Sequence, residues 1–429
     1  MAVRIMTSDG TAVGGPAGLN DRPFPVPPLA ARIFALARQS GFEARIVGGA
    51  ARDWLVGRRI GDIDMAVAAP IDRVAAVLRD QGLKVIETGL DHGTVTVVDQ
   101  GQHLEITQTR VDLETDGRRA VVAFSDDWAA DAARRDFTIN ALYVDASGQI
   151  FDPLAGRPDL AAGILRFVGN ATQRVEEDAL RMLRYCRFLP HFGRAGTDAE
   201  ALAALGERAG LAANLSGERV AGEMAGLLAG PGSGPGIAVM QDTGLAVAAL
   251  GTTLDAGCLS AGIDQAVETV FGGADQAWLV RLAVLTPPGS GGGLATRLRL
   301  SRRDSLVLSS LDLDAADKEA DALTAATWRQ AAWWRHRADV MPGGGLPLAS
   351  LVVASGRTGR AIDSAHLADM AAWEIPEFPL TGADLLSQGV DSGPALGEML
   401  RAAEREWVGR DFAPTKADLL AFVEHHPVT

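Results

Sequence analysis

The pattern of apolar residues changes once along this chain, near Asp152. Before that point, residues 94–98 and 103–108 alternate apolar and polar side chains, which predicts strands interleaved with helical stretches. Beyond about Asp159 the strand signals fade, helical spacing takes over, and Gly- and Pro-rich breaks such as residues 230–236 interrupt it. We therefore expect a mixed α/β or α+β head followed by helical domains.

The composition is typical of a multidomain protein without membrane-spanning segments or a disulfide framework. The chain has 429 residues, 47% of them hydrophobic, which is enough for several domains, and no apolar run is long enough to cross a membrane. Residues 1–27 are rich in Gly, Ala and Pro without a signal-peptide pattern, so we expect a mobile tail. A net charge of −14 argues mildly against a protein that coats nucleic acid. The two cysteines lie in apolar surroundings, which disfavours a disulfide framework and indicates a reducing cytoplasm. Neither has a second Cys or His at metal-ligand spacing.

Two aspartates in the stretch GDIDMAV, Asp62 and Asp64, lie two positions apart where apolar residues begin to alternate. Residues two apart in a strand face the same side, so the two carboxylates repel each other unless a cation lies between them. Carboxylates are the ligands through which Mg²⁺ binds together with substrate phosphates. For the motif alone, a polar turn that happens to hold two acids is the simpler explanation.

Glu105 is a third acid that could join this pair. Leu104 and Ile106 flank it and are expected to face the core, so Glu105 is expected to face outward on a neighbouring strand. Three carboxylates on two strands would hold two metal ions for an in-line displacement at phosphorus. An ordinary solvent-facing strand residue is the alternative.

The stretch VGGAARD reads as a strand that turns through Gly48 and Gly49 into a helix. Glycines at such a turn let a ligand approach the backbone, and the start of the helix offers free N–H groups to an anion. Arg52 and Asp53 follow, and the guanidinium could add a charged donor to a phosphate. A plain strand-to-helix turn explains the glycines equally well when they are taken alone.

Residues 133–142, ARRDFTINAL, form a third group. Guanidinium groups at Arg134 and Arg135 suit phosphate oxygens, and Asp136 and Asn140 suit sugar hydroxyls. A helical turn with a salt bridge is the structural alternative, but proximity to a triphosphate site favours a role in binding nucleotide.

Residues 176–184, EEDALRMLR, are expected to lie on a helix capped by Asn170, which puts Asp178 and Arg181 on one face. In such a pair the carboxylate accepts a hydrogen bond from an amino group, and the guanidinium donates one to a ring nitrogen. Cytosine and adenine present that order, whereas uracil and guanine present the opposite one. The alternative is a surface salt bridge, which contributes little.

Six segments, in this order and at this spacing, resemble the class II tRNA nucleotidyltransferases and the bacterial poly(A) polymerases. They are VGGAARD, GDIDMAV, ARRDFTINALYVD, FDPLAGRPDLAAGILRFVG, EEDALRMLRYCRF and SGERVAGEM. The resemblance implies an α+β fold with a polymerase-β-like nucleotidyltransferase head, followed by all-α neck, body and tail domains. It places the head at residues 28–152, a neck with the base-selecting helix at 153–230, and an RNA-binding body and tail at 231–429.

The same resemblance implies roles for the residues above. Asp62 and Asp64 would be Mg²⁺ ligands with Glu105 as the matching strand acid, and Asp178 and Arg181 would select the base. A further set would bind nucleotide: Gly48, Gly49, Arg52, Asp53, Arg134, Arg135, Asp136 and Asn140. The 3′ hydroxyl of a tRNA would attack the α-phosphate of CTP or ATP, and pyrophosphate would leave.

Three other functions stay open on the sequence alone. A poly(A) polymerase shares the same head, and a partial enzyme would add only C or only A. Residues 89–98, GLDHGTVTVV, are more similar to CCA-adding members, and residues 111–130 match the place of the family's flexible loop. A non-catalytic RNA-binding module is disfavoured by the intact acid pair.

Overall fold

A computed structural model of the protein describes residues 18–89, 93–115, 120–312, 322–323, 328–337, 341 and 345–425. Two compact units make up the chain. The first comprises Met1–Leu215 with Asp242–Leu245, and the second comprises Ser216–Gln241 with Ala246–Thr429. The four-part division into tail, head, neck and body remains a prediction beside this two-unit division. None of the described helices is long and apolar enough to cross a membrane.

One mixed sheet of seven strands organises the first unit, in the order β3–β4–β5–β2–β1–β8–β9. A separate hairpin is formed by β6 and β7. The strands are β1 (Ala44–Val47), β2 (Asp64–Val67), β3 (Lys84–Gly89), β4 (Thr94–Asp99), β5 (Gln102–Gln108), β6 (Arg110–Thr115), β7 (Ala120–Phe124), β8 (Tyr143–Val144) and β9 (Ile150–Phe151). The hairpin falls in the segment that matches the flexible loop, and residues 116–119 lie outside the described part.

Helices cover the sheet and continue beyond it. In the first unit they are α1 (Pro28–Gln39), α2 (Gly49–Leu55), α3 (Ile71–Asp80), α4 (Trp128–Ala133), α5 (Gly156–Ala162), α6 (Ala171–Glu177), α7 (Leu180–Phe192) and α8 (Ala199–Arg208). Short 3₁₀ turns occupy Thr138–Asn140 and Ala209–Asn214. Within the described residues, every element after β9 is helical, apart from an isolated bridge between Phe137 and Phe167. The predicted α+β architecture is confirmed.

The sheet is antiparallel except between its two central strands. β2 pairs parallel with β5, and this register sets Asp64 opposite Glu105. β1 pairs antiparallel with β2 and β8, and β4 pairs antiparallel with β5. A parallel pair needs a crossover connection, which α3, β3 and β4 provide.

The core of the first unit follows the predicted periodicities. On α1 the buried side chains include Leu29, Ile33 and Leu36, a helical spacing, and Pro28 occupies the first turn, where a missing N–H is harmless. Leu104 and Ile106 on β5 are buried while Glu105 between them is exposed, as predicted from the alternation.

Two local expectations are wrong. Asp62 does not lie on the strand, because β2 begins at Asp64. Strand β1, which pairs with β2, ends at Val47 opposite Asp64. Because the chain then turns away at Gly48, Asp62 has no partner on β1 with which to extend the strand. The expected single helix over residues 176–184 is two helices, because α6 ends at Glu177 and α7 begins at Leu180.

The break between α6 and α7 has a local cause. Asp178 has extended backbone angles (φ −151°, ψ 104°), and its side chain accepts a hydrogen bond from the Leu180 N–H at 3.1 Å. Such a local bond competes with the helical ladder. The expected cap at Asn170 is confirmed, since its side chain accepts from the Gln173 N–H at 2.9 Å.

The expected mobile tail over residues 1–27 lies partly outside the described residues, which begin at Gly18. Close to α1 this segment packs on the first unit. Phe24 is buried, its N–H donates to the Gly148 carbonyl at 2.8 Å, and its ring contacts Trp54 edge-on. Burying an aromatic ring there stabilises the entry into α1.

The second unit is helical in its described part. Its helices are α9 (Gly217–Leu227), α10 (Gly234–Asp242), α11 (Leu245–Leu250), α12 (Ala261–Phe271), α13 (Ala277–Leu285), α14 (Gly291–Arg297), α15 (Arg302–Leu311), α16 (Trp328–Arg337), α17 (Leu346–Thr358), α18 (Ser364–Ala372), α19 (Gly382–Ser387), α20 (Pro394–Gly409) and α21 (Lys416–His425).

Two features stabilise this second unit from inside. Trp333, Trp407 and Phe412 form an aromatic cluster, with both Trp333 and Phe412 centred 5.0 Å from Trp407. Arg281 on α13 is fully buried and donates to Asp264 at 2.8 Å and to Glu268 at 2.9 Å. A buried guanidinium is tolerated because carboxylates satisfy its donors.

Candidate active site

The carboxylates predicted from the sequence lie together where β2 begins beside β5. Asp64 opens β2 directly opposite Glu105 on β5, and Asp62 precedes it on an exposed segment. Asp64 is exposed as a residue, yet protein atoms crowd its carboxyl group. This partial burial, followed by the negative charges of Glu105 and Asp62, raises the pKa of Asp64, and Arg135 opposes the shift. A cation placed among these carboxylates would relieve the repulsion.

The donor set fits a hard divalent cation that brings further ligands with it. Among the described residues, no three His, Cys, Asp or Glu side chains are already arranged around a common metal position. Carboxylate oxygens are nevertheless the ligands that Mg²⁺ prefers, and it commonly binds through one or two of them plus substrate phosphates. The raised pKa of Asp64, caused in part by the nearby negative charges of Glu105 and Asp62, is the structural observation that supports a cation here.

The glycine turn beside the carboxylates needs a glycine for its backbone. Gly48 has φ 72° and ψ −126°, a conformation that other residues rarely adopt, and its N–H donates to the Leu142 carbonyl at 3.0 Å. Gly49 is the first residue of α2. The turn thereby brings the start of α2 next to Asn140, whose carbonyl oxygen would lie 3.8 Å from a β-carbon on Gly48.

Arg52 is enclosed rather than exposed at the helix start. Its guanidinium donates to Asn140 Oδ1 at 2.5 Å and to both carboxylate oxygens of Asp53 at 3.0 and 3.1 Å. The same group lies 4.3 Å from the ring centre of Phe192 and 5.0 Å from that of Phe188. Burial lowers the pKa of Arg52, and Asp53 opposes the shift. In this arrangement Arg52 positions Asn140 and Asp53.

Asp136 is the centre of a hydrogen-bond group. Its Oδ1 accepts from Asn140 Nδ2 at 3.0 Å and from the Phe137 N–H at 2.8 Å, and its Oδ2 accepts from Arg184 Nε at 2.8 Å. Burial alone would raise the pKa of Asp136, but the charge of Arg184 and these hydrogen bonds outweigh it and hold that pKa below its usual value. Asp136 is therefore ionised and fixed in place.

The two neighbouring arginines share one buried acid. Asp131 on α4 accepts from Arg134 Nε and Arg135 Nη2, both at 3.0 Å, and from the Tyr143 hydroxyl at 2.9 Å. Burial would raise the pKa of Asp131, but both guanidinium groups and the hydroxyl hold it below its usual value. Arg135 Nε also donates to the Tyr143 hydroxyl at 3.1 Å, so Asp131 orients both arginines.

The junction of α6 and α7 brings the predicted base-selecting residues beside this group. Arg181 donates to Glu177 Oε2 at 2.7 Å, to the Arg174 carbonyl at 2.9 Å and, through Nη2, to the Arg134 carbonyl at 3.0 Å. Asp178 lies in the break itself, where its carboxylate caps α7. The arginine thus fastens α7 to the segment that carries Arg134.

Sequence reasoning missed Asp131, Tyr143 and Arg184. Asp131 lies three and four positions before the two arginines, a spacing that predicts helical ion pairs and could have identified it. Arg184 lies three positions after Arg181 on the same helix, so the helical period could have identified it too. Nothing local in the sequence marks Tyr143, because its role depends on β8 lying beside β1.

Comparison with known proteins gives the class first. Residues 44–166 match the family model described as the Poly A polymerase head domain. With the mixed sheet and the carboxylates at its central strands, this match defines a nucleotidyltransferase head.

Matches along most of the chain identify the family. The human protein called CCA tRNA nucleotidyltransferase 1, mitochondrial is 31% identical over 89% of this chain and 86% of its own length. The mouse protein of the same name is 31% identical over 91% of this chain and 88% of its own length. The CCA-adding enzyme of Geobacillus stearothermophilus is 41% identical over 48% of this chain and 51% of its own. The chain belongs to the CCA tRNA nucleotidyltransferase family.

A solved structure gives the same result for the fold. The CCA-adding enzyme of Bacillus stearothermophilus, crystallised in complex with CTP, superposes with a TM-score of 0.69 at 28% identity. The superposition covers 92% of this chain and 96% of that one. The expected polymerase-β-like head followed by helical domains is confirmed.

Proposed function

We infer that this protein adds C and A nucleotides to the 3′ end of tRNA from CTP and ATP without a nucleic-acid template. The observation that carries this inference is the register that sets Asp64 opposite Glu105, with Asp62 close enough for its charge to raise the pKa of Asp64. Relatives called CCA tRNA nucleotidyltransferases match most of this chain, and the B. stearothermophilus structure contains CTP.

The carboxylates would hold Mg²⁺ through Asp62 and Asp64, with Glu105 adding negative charge beside them. Mg²⁺ bound there supplies positive charge for the phosphates and for the attacking 3′ hydroxyl during phosphoryl transfer. The protein's own contribution is to hold the carboxylates together before the nucleotide arrives. The register between β2 and β5 does this for Asp64 and Glu105.

The nucleotide would be held by the network on the other side of the site. Asp136 and Asn140, fixed by Arg184 and Arg52, offer oxygen and amide groups to a ribose. Arg134 and Arg135, oriented by Asp131, offer guanidinium groups to phosphates. Gly48 and Gly49 let the triphosphate approach the backbone.

Base choice would rest on Asp178 and Arg181. Arg181 is fixed by Glu177 and two carbonyls, so its orientation is set before a base binds. Asp178 and Arg181 do not share a helical face, because Asp178 lies in the break before α7. A base would have to meet the two side chains together, accepting from the guanidinium and donating to the carboxylate as cytosine and adenine can. Preorganisation of this kind lowers the entropy lost on binding.

Poly(A) addition is the second candidate, because the matched head model carries the description of a poly(A) polymerase. That model covers residues 44–166, whereas the relatives called CCA tRNA nucleotidyltransferases match along both units. CCA addition is therefore the better supported function, and the addition of only C or only A is the next alternative.

A cytoplasmic location agrees with the two cysteines, both of which are free thiols.

Incorporation with one nucleotide at a time tests the proposal. On a tRNA that lacks its CCA end, CTP alone is expected to add cytidines and stop. On a tRNA ending in CC, ATP alone is expected to add one adenosine. Runs of adenosine from ATP alone on either RNA would favour the poly(A) alternative, and no incorporation with any nucleotide would leave only the RNA-binding module.

A further inference from the structure

A group of basic side chains surrounds Phe192, the last residue of α7. The guanidinium of Arg52 lies 4.3 Å from the centre of this buried ring, and that of Arg58 lies 5.3 Å from it. The His191 ring meets the same phenyl ring edge-on at 6.2 Å. Arg52 is enclosed, whereas Arg58 and His191 are exposed, so these two form the outer layer of the group.

In this outer layer Arg58 carries the positive charge, and no carboxylate among the described residues balances it. Asp53 is the nearby carboxylate, and Arg52 binds both of its oxygens. Within the described part of the chain, neither Arg58 nor His191 forms an ion pair with a carboxylate. Although His191 is exposed as a residue, protein atoms surround much of its imidazole ring. This partial burial, with the charges of Arg58, Arg52 and Arg187, lowers the pKa of His191 to about 4, and Asp53 opposes the shift. The imidazole is therefore neutral at pH 7 in a positive environment.

We propose that Arg58 and His191 bind a backbone phosphate of the RNA strand whose 3′ end is extended. This deepens, and rests on, the proposed tRNA nucleotidyltransferase function. Arg58 supplies a guanidinium fork suited to phosphate oxygens, and its contact with Phe192 limits the entropy lost on binding.

Position decides between RNA and the incoming nucleotide as the source of that phosphate. Arg58 is exposed on the segment that joins α2 to β2, four positions before Asp62. The triphosphate of a nucleotide must reach the metal carboxylates, whereas an RNA strand carries one phosphate per nucleotide away from its 3′ end. An exposed cation on the segment bordering the carboxylates therefore suits the departing RNA backbone.

The site also predicts how RNA binding depends on pH. His191 faces Arg52, Asp53 and Arg58 from α2 and the residues after it, and Arg187 from its own helix. A bound phosphate stabilises the imidazolium, so the pKa of His191 rises on binding from its free value of about 4 and a proton is taken up. tRNA affinity is then expected to increase as the pH falls from about 7 to about 5, towards that free value.

Measurements of tRNA binding in the absence of nucleotide test the proposal apart from turnover. The variants are Arg58→Ser and, as the matched control, Arg38→Ser, which removes an exposed arginine from the last turn of α1. Arg58→Ser is expected to weaken tRNA binding about tenfold and to reduce the salt dependence of log Kd by about one. The KM for CTP at saturating tRNA is expected to stay within about twofold. Arg38→Ser is expected to change neither quantity.

Two further variants separate the charge of Arg58 from its packing and test the protonation of His191. Arg58→Lys retains the charge and is expected to keep most of the salt dependence, even if Arg58→Ser disturbs packing on Phe192. His191→Gln is expected to bind tRNA normally at about pH 7 and to lose the extra affinity at about pH 5. Unchanged tRNA binding in Arg58→Ser would overturn the proposal, as would a rise in the KM for CTP with tRNA binding intact. Loss of tRNA binding in Arg58→Ser would support it even if the wild type added no nucleotide, which would contradict the proposed function alone.

Discussion

Asp64 and Asp136 are carboxylates of the same site, yet their surroundings shift their pKa values in opposite directions. Partial burial, Glu105 and Asp62 raise the pKa of Asp64, whereas Arg184 and two hydrogen-bond donors outweigh burial and lower that of Asp136. Divergent environments of this kind separate groups with different roles. Asp64 is suited to receive a cation, whereas the negative charge of Asp136 is already balanced by Arg184.

Replacing Asp64 by Asn is expected to remove at least about three orders of magnitude from kcat/KM, because the amide cannot supply the charge that holds Mg²⁺. The melting temperature without Mg²⁺ is not expected to fall, since the change removes like-charge repulsion with Glu105. Steady-state incorporation and thermal unfolding measure the two effects.

Asp80→Asn is the matched control, because this exposed carboxylate ends α3 on the surface. It is expected to leave incorporation unchanged. Turnover of Asp64→Asn at the wild-type rate would exclude Asp64 as a metal ligand.

Replacing Asp136 by Asn is expected to lower the free energy of unfolding at pH 7 by about 1–3 kcal/mol, because Arg184 loses a buried partner. The pKa of Asp136 is lowered in the folded state, so its stabilisation is present above the unfolded-state pKa and is lost as the pH falls through the folded-state value. The difference between wild type and variant should therefore shrink below about pH 4. Urea unfolding at a series of pH values measures this, and a difference that stays constant in acid would contradict it.

At the scale of single elements, local signals were predictable and long-range ones were not. The alternation in β5 predicted that Glu105 faces outward, and Asn170 predicted the start of α6. The sequence did not show that Asp62 would precede β2, because the start of β2 depends on where its partner strand β1 ends. Nor did it show that Arg52 would be enclosed, because Phe192 lies far along the chain on α7.

The junction between α6 and α7 makes a prediction about base choice. Asp178→Asn keeps an oxygen for the Leu180 N–H but adds an amide donor, which suits the carbonyl of uracil or guanine. The ratio of kcat/KM for CTP to that for UTP is expected to fall by about tenfold or more. Single-nucleotide incorporation kinetics measure this ratio.

Asn170→Ala separates selectivity from helix stability at the same junction. It removes the cap of α6 and is expected to cost about 1 kcal/mol of stability without changing the ratio. If Asp178→Asn kept the wild-type ratio, base selection by this residue would be excluded.

At the scale of the whole molecule, the sequence predicted the order of an α+β head and helical domains, because the loss of strand periodicity is a strong signal over hundreds of residues. The division at Leu215 was not visible. The buried group around Arg281 was not visible either, because the carboxylates of Asp264 and Glu268 come from a different helix. Such groups depend on tertiary packing, which local patterns do not encode.

The central claim is that this chain is an enzyme that completes tRNA ends, and the sequence of the product tests it most directly. A tRNA without its CCA end is incubated with the full chain, Mg²⁺ and all four nucleoside triphosphates, and the new 3′ ends are sequenced. CCA followed by termination is the predicted product, with no extension by Asp64→Asn. Tails of adenosine alone, or extension of an unstructured RNA as efficiently as of tRNA, would contradict the account.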